Sequence, residues 1–352
     1  MPTSAILTCV YPPQGPRPNP LPVRPLPPTI HSLFQPEYKD LTKEDLQAKC
    51  QEIFATGLVI TEDEAAYLAE ATKLQAKSLL WFDHRRGRIT ASKFHPVCRT
   101  SITSPSQSLV QQILKTGGSV TSAAIEWGVQ NEKVAVQEFK KKVSPSHTSF
   151  ELKFTGLHVN TKYPHLGASP DGLVSCECCG EGLLEVKCPY SIRHTTPTSA
   201  DTPKDFYLKL DNEGTLKLSR THKYYYQVQG QMAVCERKYT YFVYWTPLGL
   251  HLERIEQDQQ FFSSIKPTLD HFFLNVILPG VLRGECTENQ CQSPSSKKQK
   301  PLYCYCQREE EYDDMIECEN PSCTYGWYHF SCVNIVTPPT GQWYCDDCKN
   351  AV

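Results

Sequence analysis

LLEVKCP at 183–189, preceded by GASPDG at 167–172, is the stretch on which the fold turns. In a strand alternate side chains share a face, so Glu185 and Lys187 point one way while Leu184, Val186 and Cys188 point the other. A carboxylate and an ammonium side by side in an otherwise apolar strand cost free energy unless something uses them. Upstream, Asp171 sits at a Pro-Asp-Gly turn between two short strands. An Asp followed by Glu-x-Lys is the set that metal-assisted phosphodiester chemistry requires: two carboxylates hold Mg²⁺ and a lysine orients or activates a water. Alone, the pattern is short enough to arise by chance.

Support comes from a helix expected over 121–141. Ile125, Val129, Val136 and Phe139 recur at helical spacing and are expected to face the core, with Glu132 on the same face. A glutamate there wants a cation or a lysine; the bland alternative is a carboxylate at the edge of the core. A helix at 222–235 brings Gln227 and Gln231 beside Tyr224. Helical periodicity also runs through 42–54, 62–80 and 258–282. Strand-like runs occupy 150–159, 166–174, 182–188, 239–245 and 250–256. Helices on both sides of a strand cluster predict an α/β layer architecture.

Composition sets the organisation. Ten of the 27 prolines fall within the first 28 residues, and seven of the 17 cysteines lie between Cys304 and Cys348. The proline-rich start cannot bury enough apolar surface to offset ordering, so 1–36 reads as a disordered leader. SPSSKKQKP, from Ser293, is a polar linker. The expected division is a large domain at 37–285, a linker at 286–302 and a small domain at 303–352. No stretch approaches the roughly 18 apolar residues of a membrane span, so no membrane association is expected. The net charge of −2 is a sum of opposites. Residues 303–352 hold two basic and nine acidic residues, a net of −7, leaving 34 basic and 29 acidic residues, a net of +5, in the remainder.

The cysteine-rich end reads Cys304-x-Cys306, Cys318-x4-Cys323, His329-x2-Cys332 and Cys345-x2-Cys348. Eight soft or imidazole ligands in four pairs predict two tetrahedral Zn²⁺ sites. A disulfide framework is the competing reading; close pairing, the embedded histidine and the absence of a secretory signal disfavour it. With so small a core, the metal should drive folding. The ligand order, with Trp343 two residues before Cys345, resembles a PHD finger and not a RING, which argues against a ubiquitin-ligase tail. YCYC, MIEC, WYHFSCV and GQWYCDDC resemble the inhibitor-of-growth type. That resemblance implies an aromatic cage of Tyr303, Met315 and Trp327 for a methylated lysine of a histone tail, a cation suited to π-faces. The chain has one extra residue between Tyr303 and Met315 relative to that pattern, which leaves Tyr312 as an alternative wall. The acidic run Glu309–Glu311, Asp313, Asp314, with Glu317 and Glu319, suits a basic tail.

In the large domain WFDHRRGRITASKF (81–94), EWGVQNE (126–132), GASPDGL (167–173), LLEVKCPYS (183–191) and YYYQVQGQM (224–232) together resemble the YqaJ-type viral recombinase family, relatives of phage lambda exonuclease among the PD-(D/E)XK nucleases. The resemblance implies a central mixed sheet flanked by helices. It implies Mg²⁺ (or Mn²⁺) on Asp171, Glu185 and the carbonyl of Val186, with Lys187 positioning the water. Glu132 completes the acidic cluster and Gln227 supports it. Arg85 and Ser169 match positions that grip a DNA phosphate, and Arg86 and Arg88 make the segment more basic still. SCECCG, with Cys176, Cys178 and Cys179, departs from the family, as does Cys188. These thiols could hold an extra zinc or an iron–sulfur cluster, or Cys176 could simply be packed; the spacing matches no standard motif. Residues 195–221 resemble nothing and read as a variable loop.

The expectation is a metal-dependent DNA nuclease, an exonuclease by resemblance, joined to a histone-reading finger in a nuclear protein of viral or mobile-element type that serves DNA recombination. The alternative is a chromatin reader that keeps the nuclease fold without activity; the intact Asp171, Glu185 and Lys187 argue against it. Oligomeric state is not legible in the sequence.

Overall fold

The run GEGLLEVK becomes the middle strand of a five-stranded sheet. In the computed structural model, residues 25–115, 122–197, 207–210, 213–284, 315–320, 323, 327–329, 333 and 343–349 are described. The chain divides into two units, Met1–Gln290 and Cys291–Val352.

In the large unit the helices are α1 (Lys43–Thr56), α2 (Glu62–Ala71), α3 (Leu79–Arg85), α4 (Phe94–Arg99), α5 (Gln107–Leu114), α6 (Ala123–Val143), α7 (Lys223–Cys235), α8 (Gln259–Phe272) and α9 (Leu278–Leu282). The strands are β1 (Ile89–Thr90), β2 (Glu151–Lys153), β3 (His158–Asn160), β4 (Tyr163–Ala168), β5 (Gly172–Cys176), β6 (Gly180–Lys187), β7 (Leu208–Leu210), β8 (Leu216–Leu218), β9 (Tyr239–Thr246) and β10 (Gly249–Glu256). The main sheet runs β10-β9-β6-β5-β2, with β6 and β9 parallel and the other pairs antiparallel. A smaller sheet orders β1-β4-β3.

Alternation along β6 and β9 sorts two cores. Leu184, Val186, Tyr241, Val243 and Trp245 pack under α6 with Ala135, Val136 and Phe139. Leu183, Phe242 and Tyr244 face the other way, into a larger core with α7, α8, α9 and α1. Every residue of β9 is buried, as expected for an inner strand covered on both faces. Gly230 of α7 is required by packing, because a Cβ there would overlap the Phe94 ring. Among the described residues no helix is long and apolar enough to cross a membrane.

Several expectations are corrected. The end of the supposed leader belongs to the fold: Ile30 is fully buried and the Pro28 carbonyl accepts from Arg88. The helix expected over 62–80 breaks, because Thr72 turns its hydroxyl back to the Leu68 carbonyl (2.6 Å) and accepts the Leu157 amide (2.8 Å). Gln75 then adopts a left-handed backbone, and Ser78 caps α3. The run 150–159 is two strands, β2 and β3, in different sheets. Part of the variable loop is a hairpin, β7–β8, whose Leu208 and Leu218 are buried. Ile125 and Val129, expected in the core, are 50% and 65% exposed. Only the half of α6 from Ala135 onward lies on the sheet; the first half overhangs it, and periodicity does not report where the cover stops.

In the small unit β11 (Met315–Glu317) pairs antiparallel with β12 (Trp327–His329), and α10 (Asp346–Lys349) follows. Cys318, Tyr328, Cys345 and Cys348 form its buried cluster. Tyr303, Cys304, Cys306 and Cys332, and the side chains of Met315, Trp327 and His329, lie outside the described residues, as does the linker.

Candidate active site and metal centres

The end of β6 brings the expected residues together. Glu185 is 1% exposed, and both its oxygens accept hydrogen bonds, two on Oε1 and one on Oε2. Gln227 Nε2 donates to Oε1 at 2.5 Å, Gln231 Nε2 donates to Oε2 at 2.7 Å, and Lys187 Nζ donates to Oε1. Both glutamines come from α7, four residues apart on one helical face. Asp171 precedes β5 and is tied to β6 twice: its amide donates to the Leu184 carbonyl (3.0 Å), and its Oδ2 accepts from the Val186 amide (2.7 Å). Glu132, half-buried on α6, lines a cavity of about 210 Å³ with Gly128, Val186, Lys187, Cys188, Pro189 and Tyr224. Half-buried Trp127, a turn earlier, packs edge-on against Tyr190.

The electrostatics ask for a cation. Burial, and then the Glu185 charge, hold the Asp171 carboxyl well above its usual range and raise Glu132 in the same direction. Burial alone would lower Lys187, but Glu185 and Asp171 outweigh it and hold the ammonium above its usual value. Three carboxylates facing one lysine leave an excess of negative charge in a shielded place. That donor set suits a hard divalent ion, which prefers carboxylate oxygens. The Cys188 thiol is pushed up to about 12 by burial and by Glu132 and Asp171, so it is a weak nucleophile.

The arginines of HRRGR separate. Arg88 is 1% exposed and donates to the carbonyls of Pro164 (Nε, 3.0 Å), His84 (Nη1, 2.6 Å) and Pro28 (Nη2, 2.8 Å). The expectation that Arg88 grips phosphate is therefore corrected: its guanidinium is spent on main-chain carbonyls and cannot reach solvent. Arg85 stacks on Trp81 at 3.9 Å, and the Trp81 indole N–H donates to Ser169 Oγ at 2.9 Å, which joins Arg85 and Ser169 in one patch. Arg86 is half-buried after α3. Two further cations went unread in the sequence. Lys93 is lowered by burial and then by the charges of Arg85 and Lys223. Lys223 and Lys187 both approach the Tyr224 ring, at 5.5 and 5.1 Å. SKF within the 81–94 motif was the available signal for Lys93.

The small unit supplies a second centre. Cys318, Cys323, Cys345 and Cys348 place their sulfurs within 4.8 Å of one another, with Cys323 and Cys345 3.8 Å apart. The second and fourth ligand pairs thus converge. A cysteine cluster of this kind suits zinc.

Residues 80–238 match the YqaJ-like viral recombinase domain. The matched stretch lies within the large unit, whose core is a mixed sheet flanked by helices. A 50-residue segment is 54% identical to chromatin modification-related protein YNG2 of Kluyveromyces lactis, covering 14% of this chain and 17% of that protein. A 49-residue segment is 47% identical to the inhibitor of growth protein 1 homolog of Dictyostelium discoideum, covering 14% and 15%. The chain thus spans less than a fifth of the length of these two relatives. In its ligand order and motifs the cysteine-rich unit resembles a PHD finger of the inhibitor-of-growth type. Among solved structures, an alkaline exonuclease from Laribacter hongkongensis is similar with a TM-score of 0.42 and 24% identity, over 59% of this chain and 98% of that one.

Proposed function

We propose that the chain is a Mg²⁺-dependent deoxyribonuclease, an exonuclease, coupled to a finger that reads a methylated lysine on a histone tail in the nucleus. The observation that carries the nuclease reading is the convergence of Asp171, Glu185, Lys187 and Glu132, with Gln227 and Gln231 clamping Glu185. Asp171, Glu185 and the Val186 carbonyl would hold the metal, with Glu132 acting through water. A divalent ion there supplies Lewis-acid polarisation of the scissile phosphate. The protein's own residues do the rest. Lys187, kept protonated by Glu185 and Asp171, orients the attacking water and balances charge that develops on the phosphate. Gln227 and Gln231 donate to both Glu185 oxygens and so fix the carboxylate plane. Arg85, Arg86 and Ser169, with Lys93 and Lys223, would track the DNA backbone, where phosphate contacts supply sequence-independent affinity.

The finger would hold two Zn²⁺, one on Cys318, Cys323, Cys345 and Cys348 and one on Cys304, Cys306, His329 and Cys332. Tyr303, Met315 and Trp327 would cage the methylammonium, and the acidic surface would meet the rest of a basic tail. The proposed organisation is a nuclease domain to about residue 285, a linker at 286–302 and the finger at 303–352.

Purified protein on end-labelled linear duplex DNA should release nucleotides with Mg²⁺ and not with EDTA. Lys187→Ala should lower the rate by about 10²–10⁴-fold, the usual range for a lost proton-handling or orienting group. Undigested DNA in every lane, with folded protein, defeats the nuclease reading and leaves a DNA-binding scaffold.

A further inference from the structure

A second group of soft ligands lies in the large unit, outside the site described above. His147, Cys176, Cys178 and Cys179 bring one ligand atom each within 4.8 Å of all the others. His147 follows the C-terminal end of α6, Cys176 closes β5, and Cys178 and Cys179 form the β5–β6 turn. The pairing of Cys176 with Gly180 makes this turn the tip of the hairpin.

Their separations are those of a coordination shell. His147 Nδ1 lies 3.2 Å from Cys178 Sγ, 3.4 Å from Cys176 Sγ and 3.6 Å from Cys179 Sγ. Cys178 Sγ is 3.5 Å from Cys176 Sγ and 3.8 Å from Cys179 Sγ. Zn–S bonds of about 2.3 Å and Zn–N bonds of about 2.0–2.1 Å at tetrahedral angles require S···S edges of about 3.8 Å and N···S edges of about 3.5 Å. The finger's own Cys323–Cys345 separation, 3.8 Å, is the same edge. The ring orientation agrees. His147 Nε2 lies 3.1 Å from the hydroxyl of Tyr241, a β9 residue held in the core, so Nε2–H can donate there and leave the Nδ1 lone pair for a metal. That outer hydrogen bond is a usual companion of a ligating histidine.

We propose that His147 Nδ1 and the sulfurs of Cys176, Cys178 and Cys179 bind one Zn²⁺ in a closed tetrahedral site that clasps the end of α6 to the tip of the β5–β6 hairpin. Cys188 is not part of it; it lines the cavity at the opposite end of β6. The clasp has a mechanical consequence. α6 carries Glu132, the hairpin carries Glu185 and Lys187, and Asp171 stands at the hairpin's open end. Fixing α6 to the hairpin tip fixes the relative position of these carboxylates from behind. Four protein ligands leave no open position, so the ion is structural and takes no substrate.

The test is the zinc content of the full-length chain after dialysis into metal-free buffer. A chain in which Cys304→Ser and Cys318→Ser remove both finger sites should retain one zinc; none retained in folded protein overturns the proposal, whatever the finger does. His147→Gln and Cys178→Ser, made in the otherwise native chain, should each remove one zinc per chain and lower the thermal midpoint of the large unit. An unchanged count in either folded variant overturns the assignment, as does iron in place of zinc. If those two variants do not fold, the full-length chain carrying Cys304→Ser and Cys318→Ser still decides.

Discussion

Asp171 is held by the Val186 amide yet kept well above the normal carboxylate range by burial and by Glu185. A carboxyl whose folded-state pKa exceeds its unfolded value binds more protons when folded, so its contribution to stability falls as pH rises from about 4 through the raised value. Glu132 acts in the same direction. Metal-free protein should therefore lose stability with rising pH across that window, and millimolar Mg²⁺, which binds the ionised form, should restore it. The rise in melting temperature on adding Mg²⁺ is expected to be larger near pH 8 than near pH 5, and Asp171→Asn should remove most of the difference. An equal shift at both pH values would mean that the carboxylates do not hold the ion. The same scale separates two arginines that sequence presents alike. Arg88→Ala strands the buried His84 carbonyl and unpairs the half-buried carbonyls of Pro164 and Pro28, and should cost about 3 kcal/mol in urea unfolding. Arg85→Ala should leave stability nearly intact while weakening DNA binding and reducing the salt slope by about 1. HRRGR announces basic charge; only burial and carbonyl geometry tell which guanidinium is left for phosphate.

At the scale of elements, α7 is the part that makes the site rigid. It is buried almost throughout, delivers Gln227 and Gln231 to Glu185, and passes the Phe94 ring at Gly230. Gly230→Ala should force α7 or Phe94 to move, costing about 1–3 kcal/mol as an overpacked core and lowering nuclease turnover. Phe94→Leu in the same chain should recover part of both losses; no recovery would place the cause elsewhere than in this contact. The site motifs and most long elements were legible because alternation in β6 and β9 and the periodicity of α7 and α8 match what the fold buries. What failed had physical causes outside periodicity. Thr72 ends α2 through its own hydroxyl, and α6 outruns the sheet it lies on, so Ile125 and Val129 meet solvent in spite of their spacing. The His147 cluster was half legible: the sequence offers Cys176, Cys178 and Cys179 as metal ligands, but with Cys188 beside them and without the histidine. Its cysteines sit at the tip of one hairpin, but its histidine lies 29 residues before Cys176, and only the packing of the α6 end against the hairpin joins them.

At the scale of the whole molecule, a near-zero total charge conceals a large portion of net +5 and a cysteine-rich end of net −7; under the proposed function, the first suits DNA and the second a basic histone tail. If the finger recruits the nuclease, its effect should depend on the substrate and not on the chemistry. Trp327→Ala is expected to leave cleavage of naked linear DNA unchanged. On chromatinised DNA carrying the methylated tail, linkage converts the second binding event into an intramolecular one, so losing the finger contact should slow cleavage by about tenfold or more at limiting enzyme. The ratio of the two rates, measured in one preparation, removes differences in folding or active fraction. An unchanged ratio would mean that the two units act without reference to each other. A matched fall on both substrates would mean that the substitution damages the nuclease directly, which the separate small core around Cys318, Tyr328, Cys345 and Cys348 argues against.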